Sequence, residues 1–496
     1  MRNLLKEKNE NGKLMILIGI ITMFPVVVLP FYPSEVGLAW TFLLPGGLIS
    51  LLGFILCIFS KRRSSRLTWQ ENLHSSSMTV LFCWSLGFVA SALPFYLSGQ
   101  MGILGSLFES ISGWTTTGHS VMDVSKVSHI FLFHRSLIQF IGGLGFVMMM
   151  VMIVQSKQAM NLFHAEGHTD NLAPNLKKTA RTVFSMFMGF LVSGVILYRI
   201  FGMPIFDGIC HTMSALSTAG FSTQVNSIGT YDSVPIEIIT MVLMIIGIVN
   251  FAVLLLMLKG KFRAAFKVTE IKFSVFVMAA FFPFIGVALF SRLHYSLGES
   301  MRKAVFNGVS AITTTGYATD DFGTWPPFAI GMMILLMLIG GGIGSTAGGI
   351  KLIRAYLLLQ IVWVDIKKRV SSKRRVFVAH YNRAQGRVVI DNSLIKEVLS
   401  FVACYLMVFI VGSLLLTLTE DCSLSDAMFD FSSSLGGVGL TTGITGAHSS
   451  NGTLIVEMIG MVLGRLEIFI VLIGIYSSYS VLKNKIRFIR KKLKRI

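Results

Sequence analysis

The sequence predicts an all-α membrane protein of ten transmembrane helices, a hairpin followed by four parallel helix–loop–helix repeats about one axis. Three observations predict it. Apolar residues make up 53% of the 496 and charged residues 14%, with a mean hydropathy of +0.71; a soluble chain is about a quarter charged. The apolar residues fall into stretches long enough to cross a bilayer, separated by basic blocks. Finally, four short segments, each about a hundred residues from the next, align on one glycine apiece.

The spans follow in order. Residues 15–33 and 36–59 form the hairpin, turned by Pro30, Pro33 and Ser34. The first repeat has spans at 78–97 and 130–154, the second at 182–201 and 236–258. The third has 273–290 and a long interrupted stretch, 328–364; the fourth has 398–418 and 454–482. The expected boundaries are thus 1–66 for the N-terminal segment and hairpin, then 67–160, 161–268, 269–375 and 376–496 for the repeats. The connector 365–397 is too small and too charged for a catalytic domain.

The net charge of +19 would suggest nucleic acid in a soluble protein. Here the basic residues cluster between spans, at 6–13, 61–66, 157–181, 259–267, 367–375 and 483–495. The positive-inside rule puts these blocks and both termini in the cytoplasm, where anionic membrane lipid would hold them. No base-stacking aromatics or recognition fold accompany the charge, so no nucleic-acid partner is expected. Each repeat begins and ends at a basic block, so its number of crossings is even. Two spans satisfy this only if the glycine segment dips into the membrane and returns. The five cysteines are scattered without disulfide or metal spacing, and no cofactor is expected in this chain. The first apolar run has no cleavage site and leads into a second span, which makes it a retained helix.

The four segments are Ser112-Gly-Trp-Thr-Thr-Thr-Gly118, Ser214-Ala-Leu-Ser-Thr-Ala-Gly220, Ser310-Ala-Ile-Thr-Thr-Thr-Gly316 and Ser433-Ser-Leu-Gly-Gly-Val-Gly439. Phe108, Cys210, Phe306 and Phe429 stand ten residues before the glycines. Non-helical backbone at membrane depth is tolerated where it lines a wet cavity, and its carbonyls can replace a cation's hydration shell. The hydroxyls can add ligands or brace the loop. One such segment alone would be a helix C-cap. Four in register, each between two spans, point to helix–pore-loop–helix repeats around one pore. Four helix C-terminal ends around one axis favour a cation, and no ring of acids suits a divalent ion.

Two further features stand out. Gly340, Gly341, Gly342, Gly344, Gly348 and Gly349, with Ser345, Thr346 and Lys351, interrupt the second span of repeat three. That density of glycine cannot hold a straight helix, each costing about 1 kcal/mol against alanine. The run lacks the Gly-Lys-Ser/Thr ending of a nucleotide loop. Close helix packing is its other reading. Arg465 lies deep in the last span, where a charge must face water or a partner. Either it faces the pore as a positive barrier or it pairs with Glu457 or Glu467. His119 and His211 read as packing or loop residues.

The four loops resemble the selectivity filters of the Trk/Ktr/HKT superfamily of potassium transporters. The glycine-rich stretch is similar to that family's intramembrane gating loop, and Gly464-Arg465-Leu-Glu467 to its inward-facing arginine. The N-terminal hairpin resembles TrkH-type subunits, whereas the fourth filter, Gly436-Gly-Val-Gly439, reads more like the Ktr version. The resemblance implies potassium as substrate, held at Thr115, Thr116, Thr117 and Gly118; Ser217, Thr218, Ala219 and Gly220; Thr313, Thr314, Thr315 and Gly316; and Gly436, Gly437, Val438 and Gly439. It implies potassium uptake across a bacterial inner membrane, a homodimer, and a separate cytoplasmic regulatory subunit that binds nucleotides. In the superfamily a serine for the first filter glycine accompanies sodium permeation, so four glycines imply potassium preference. A sodium-permeable or cation-coupled member is the nearest alternative. A membrane-embedded enzyme would need clustered acids, histidines or a nucleophile–base pair in the spans, and none is seen.

Overall fold

A computed structural model describes residues 10–59, 69–144, 176–371 and 379–493. The N-terminal hairpin pairs α1 (Glu10–Met23) with α2 (Ala39–Phe59). The expected first span becomes 3-10 from Phe24, because prolines at 25 and 30 remove the amide donors an α-helix needs there. Gly12, Gly19, Gly46 and Gly53 let the two backbones touch: a β-carbon on Gly19 would stand 2.4 Å from the Gly46 carbonyl oxygen.

Each repeat then has a long first helix and a shorter second one. Repeat 1 comprises α3 (Trp69–Leu97), α4 (Ile103–Trp114) and α5 (His129–Gly143); repeat 2 comprises α6 (Leu176–Ile200), α7 (Ile205–Leu216), α8 (Val234–Ile248) and α9 (Phe251–Leu258). In repeat 3, α10 (Thr269–Leu293) and α11 (Leu297–Ile312) precede α12 (Pro327–Ile339) and α13 (Leu352–Val370). Two short strands, β1 (His380–Arg383) and β2 (Gly386–Val389), pair antiparallel in the connector, a departure from the all-α expectation. Repeat 4 comprises α14 (Asn392–Thr419), α15 (Leu424–Gly436), α16 (Asn451–Arg465) and α17 (Ile468–Leu493).

Six of these helices are long and apolar enough to cross a membrane, or eight if each of two bent pairs counts as one span. The bends are a correction to the sequence reading, which expected only repeat 3 to be interrupted. Helices α8 and α9 turn by 116° at Val249–Asn250, and α16 and α17 by 103° at Leu466–Glu467. Of the other two expected spans, the one in repeat 3 is divided by the glycine stretch, and 130–154 is described only to Leu144. The basic residues at 6–8, 61–66, 157 and 373–375 also lie outside the described residues.

Candidate functional site: a four-loop ring above a glycine-rich plug

The short helices α4, α7, α11 and α15 end in the same turn. Thr116, Thr218, Thr314 and Gly437 take left-handed φ of 57, 51, 52 and 66°. The amides of Thr117, Ala219, Thr315 and Val438 then donate back to the carbonyls of Ser112, Ser214, Ser310 and Ser433 at 2.9, 3.1, 2.9 and 2.8 Å. This is the Schellman cap. Each segment is therefore a helix C-cap, and the loop that follows is built on that cap. Three of the four left-handed residues are threonines, each conformation costing about 1–2 kcal/mol.

Two residues after these, Gly118, Gly220, Gly316 and Gly439 again have positive φ, 91, 75, 87 and 95°. They close a ring. A β-carbon on Gly118 would stand 2.1 Å from the Ala219 carbonyl oxygen; one on Gly220, 2.1 Å from Thr315 O; one on Gly316, 1.8 Å from Val438 O; one on Gly439, 2.3 Å from Thr117 O. Each loop thus abuts the next in chain order, and the fourth abuts the first. No side chain fits at any of the four positions.

The loop hydroxyls brace. Thr115 Oγ1 donates to Ile111 O at 2.7 Å and lies 2.9 Å from Thr117 Oγ1; Thr313 repeats this with Val309 O at 2.7 Å and Thr315 Oγ1 at 2.8 Å. Ser217 Oγ donates to Met213 O at 2.8 Å. Ser112 and Ser433 accept from the amides of Gly118 and Gly439 at 3.1 and 2.8 Å, which explains the serine six residues before the glycine in these two copies.

A second column escaped the sequence reading. Nine residues before the glycines stand Glu109, His211, Asn307 and Asp430, all buried. Each ties its helix to the strand of chain leaving the ring. Ser120 Oγ donates to Glu109 at 2.8 Å, His211 Nε2 meets Ser222 Oγ at 2.9 Å, Asn307 Nδ2 donates to Thr319 Oγ1 at 3.0 Å, and the Thr442 amide donates to Asp430 at 2.8 Å. The signal was legible as a polar column in the same register, and His211 is a brace and not mere packing. In repeat 1 the buried Glu109 also takes Arg135 Nε at 2.6 Å, and the guanidinium lies 3.9 Å over the Phe221 ring. Replacing Arg135 with methionine should cost about 3–5 kcal/mol, because it strands a buried carboxylate; Arg135→Met together with Glu109→Gln should recover part of that loss in thermal unfolding.

All four ring glycines open onto one cavity of about 720 Å³, which Asp123, Asp320 and Asp321 also line. Of these, Asp123 pairs with Lys126 at 2.8 Å and Asp320 with Lys303 at 3.2 Å. On the other face lies the glycine-rich stretch 340–351, packed against three of the four loops. Thr346 Oγ1 donates to Leu216 O at 3.1 Å and Gly247 O at 2.9 Å, and accepts from Thr218 Oγ1 at 3.2 Å. The Gly348 amide donates to Thr314 Oγ1 at 2.8 Å, and a β-carbon on Gly348 would stand 2.0 Å from Gly436 O. Gly340, Gly344 and Gly349 have φ of 67, 69 and 79°. The Gly341 amide donates to Gly348 O at 3.2 Å and the Gly342 amide to Ile248 O at 3.2 Å. Ser345 Oγ donates to Gly342 O at 2.7 Å, and Lys351 Nζ to Ala347 O. The polar residues of the stretch thus stitch backbone together.

Arg465 reaches across this layer. Its Nη1 donates to Thr346 O at 2.7 Å, and its Nη2 to Gly142 O at 2.5 Å and Gly143 O at 3.4 Å. It joins the glycine-rich stretch to repeat 1. Of the two carboxylates weighed as its partners, Glu467 takes Arg354 at 3.2 Å and Glu457 takes the Thr445 hydroxyl at 2.6 Å. Between Arg465, Lys351 and the plug only about 40 Å³ of space remains. That is room for roughly one or two waters.

Four glycine loops closed into a ring, inside a chain of apolar spans, define the class as a membrane transport protein. The chain belongs to the TrkH family of cation transport proteins, whose model matches residues 50–478. It is 29% identical over 476 residues to the Trk system potassium uptake protein TrkH of Salmonella typhimurium, covering 93% of this chain and 96% of that one. It is 28% identical over 474 residues to an uncharacterized cation transporter of Methanocaldococcus jannaschii, covering 94% of each. The crystal structure of the potassium transporter TrkH from Vibrio parahaemolyticus superposes with a TM-score of 0.80 at 26% identity, over 93% of this chain and 96% of that one.

Proposed function

We propose that this chain carries potassium inward across a bacterial inner membrane, through ten spans and four pore loops with both termini in the cytoplasm. The observation that carries the reading is the ring, in which each glycine stands against the carbonyl of the next loop. Such close backbone apposition suits dehydration of a monovalent cation by carbonyl oxygens at 115–118, 217–220, 313–316 and 436–439. The stretch 340–351 is the gate and Arg465 its positive barrier. The relatives named as potassium transporters support the ion assignment. The family resemblance extends the proposal to a homodimer and to a separate nucleotide-binding cytoplasmic subunit.

Purified protein in sealed vesicles should take up rubidium in preference to sodium, and potassium should compete with the rubidium. Equal uptake of sodium would move the chain to a sodium-permeable function. An imposed proton gradient that drives rubidium uphill would make it a coupled transporter. Deleting 343–347 should raise rubidium flux severalfold, because this removes the part of the stretch that Thr346 seats against loop 2. A folded deletion variant that conducts no faster than the parent makes the stretch a scaffold.

A further inference from the structure

Helices α10 and α13 meet where the Phe273 and Tyr356 rings lie edge to face, 5.7 Å apart. Beside this contact a groove of about 560 Å³ opens between the first turns of α10, the middle of α13 and strand β1. Its lining is of two kinds. Phe276, Leu359 and Trp363 are 63, 56 and 53% exposed, an apolar wall. Lys267 and Lys272 stand exposed at its rim, and among the described residues neither takes part in an ion pair. Lys367 lies 4.9 Å from the Trp363 ring, so tryptophan and a basic run share one level of α13. That combination marks a membrane–water interface.

We propose that this groove binds an anionic phospholipid, its phosphate between Lys267 and Lys272 and its acyl chains along Phe276, Leu359 and Trp363. A soluble anion would leave the apolar wall uncovered. A zwitterionic lipid would leave the lysine charges without a net counter-charge. Basic pockets at helix junctions are a recurrent form of lipid headgroup site.

The position has a consequence for transport, which rests on the gating reading above. Glu270, between the two lysines in sequence, accepts from the Ile343 amide of the glycine-rich stretch at 3.0 Å. Thr269 accepts from the Asn382 amide at 2.9 Å, so the same helical turn also holds β1. A phosphate at the lysines adds negative charge beside the carboxylate that anchors the plug. Bound lipid therefore loosens that anchor and raises flux.

Binding is tested first, on the delipidated full-length chain in detergent, by native mass spectrometry. Phosphatidylglycerol should be retained, and phosphatidylcholine and glycerol 3-phosphate should not. The double variant Lys267→Gln/Lys272→Gln should bind phosphatidylglycerol about thirtyfold more weakly, on the order of fivefold per lysine, whereas Lys126→Gln should bind it like the parent. Equal retention by the double variant, or equal retention of phosphatidylcholine by the parent, overturns the site. Retention of glycerol 3-phosphate at similar strength overturns the lipid assignment in favour of a free phosphate. Coupling is tested by rubidium flux in vesicles with and without phosphatidylglycerol. The parent should conduct faster with it, and Glu270→Gln should bind the lipid yet lose the acceleration. A Glu270→Gln protein still accelerated by lipid overturns the coupling while leaving the binding site standing. Failure of the parent to conduct rubidium in either membrane would instead strike the transport reading.

Discussion

Replacing Gly316 with serine is expected to abolish most of the discrimination between potassium and sodium, more completely than the same change at Gly118 or Gly439. The reason is spatial. A β-carbon on Gly316 would fall 1.8 Å from Val438 O, the tightest of the four contacts around the ring, against 2.1 Å at Gly118 and 2.3 Å at Gly439. The backbone there has φ +87°, so a side chain adds conformational strain of about 1–2 kcal/mol to the clash. Relief requires the Val438 carbonyl to move outward, which widens the ring on one side. A tenfold loss of selectivity needs only about 1.4 kcal/mol of differential binding, less than the strain and clash together supply. The measurement is the ratio of rubidium to sodium uptake in vesicles, with Gly331→Ser as the control, since a β-carbon on Gly331 meets nothing within 4 Å. An unchanged ratio in folded Gly316→Ser protein would remove the ring from the permeation path.

The ring was legible in the sequence because it is repeated. Each glycine could be a cap by itself, but four in register, between spans, could not be coincidence. The braces at Glu109, His211, Asn307 and Asp430 were equally available from that register, yet they differ in residue type, so identity alone concealed them. The bends were harder to read. Val249–Asn250 and Leu466–Glu467 contain neither glycine nor proline, and hydropathy runs through both. Their causes are tertiary. Asn250 caps α9 through the Ala252 amide at 2.7 Å while its side-chain amide donates to Ile343 O at 2.6 Å, so the break in repeat 2 is tied to the glycine-rich stretch of repeat 3. Glu467, at φ +55°, is held by Arg354 of α13. A second glycine column was readable in principle. Gly142 and Gly464 occur where α5 and α16 cross the last turn of the short helix before them, a β-carbon on each standing 2.1 Å from Trp114 O and 1.9 Å from Leu435 O. The sequence reading weighed Arg465 as a barrier facing the pore against a partner of Glu457 or Glu467, and did not foresee backbone carbonyls as its partners. Its carbonyl partners lie in repeats 1 and 3, more than a hundred residues away, and no local pattern names them.

Arg465→Ala is expected to raise rubidium flux by about tenfold or more, since it removes two restraints at once. One is the fixed positive charge beside a cavity of about 40 Å³, which on the proposed permeation path would repel a cation across a low-dielectric region. The other is the tie from Nη1 to Thr346 O at 2.7 Å and from Nη2 to Gly142 O at 2.5 Å, which fastens the plug to repeat 1. Charged hydrogen bonds of this kind contribute about 1.5–3 kcal/mol each, so the variant should also melt earlier. Lysine separates the two restraints. It keeps the charge, but a single ammonium lacks the planar fork that reaches two carbonyls in different repeats. Flux through Arg465→Lys should therefore fall between the parent and Arg465→Ala. Arg465→Gln, with an amide donor but no charge, should lie close to alanine. A lysine variant conducting like the parent would make charge the whole barrier; one conducting like alanine would make the tie the whole barrier. If Arg465→Ala melts earlier and conducts no faster, the arginine only holds repeats 1 and 3 together, and the obstruction to the ion lies in the glycine-rich backbone itself.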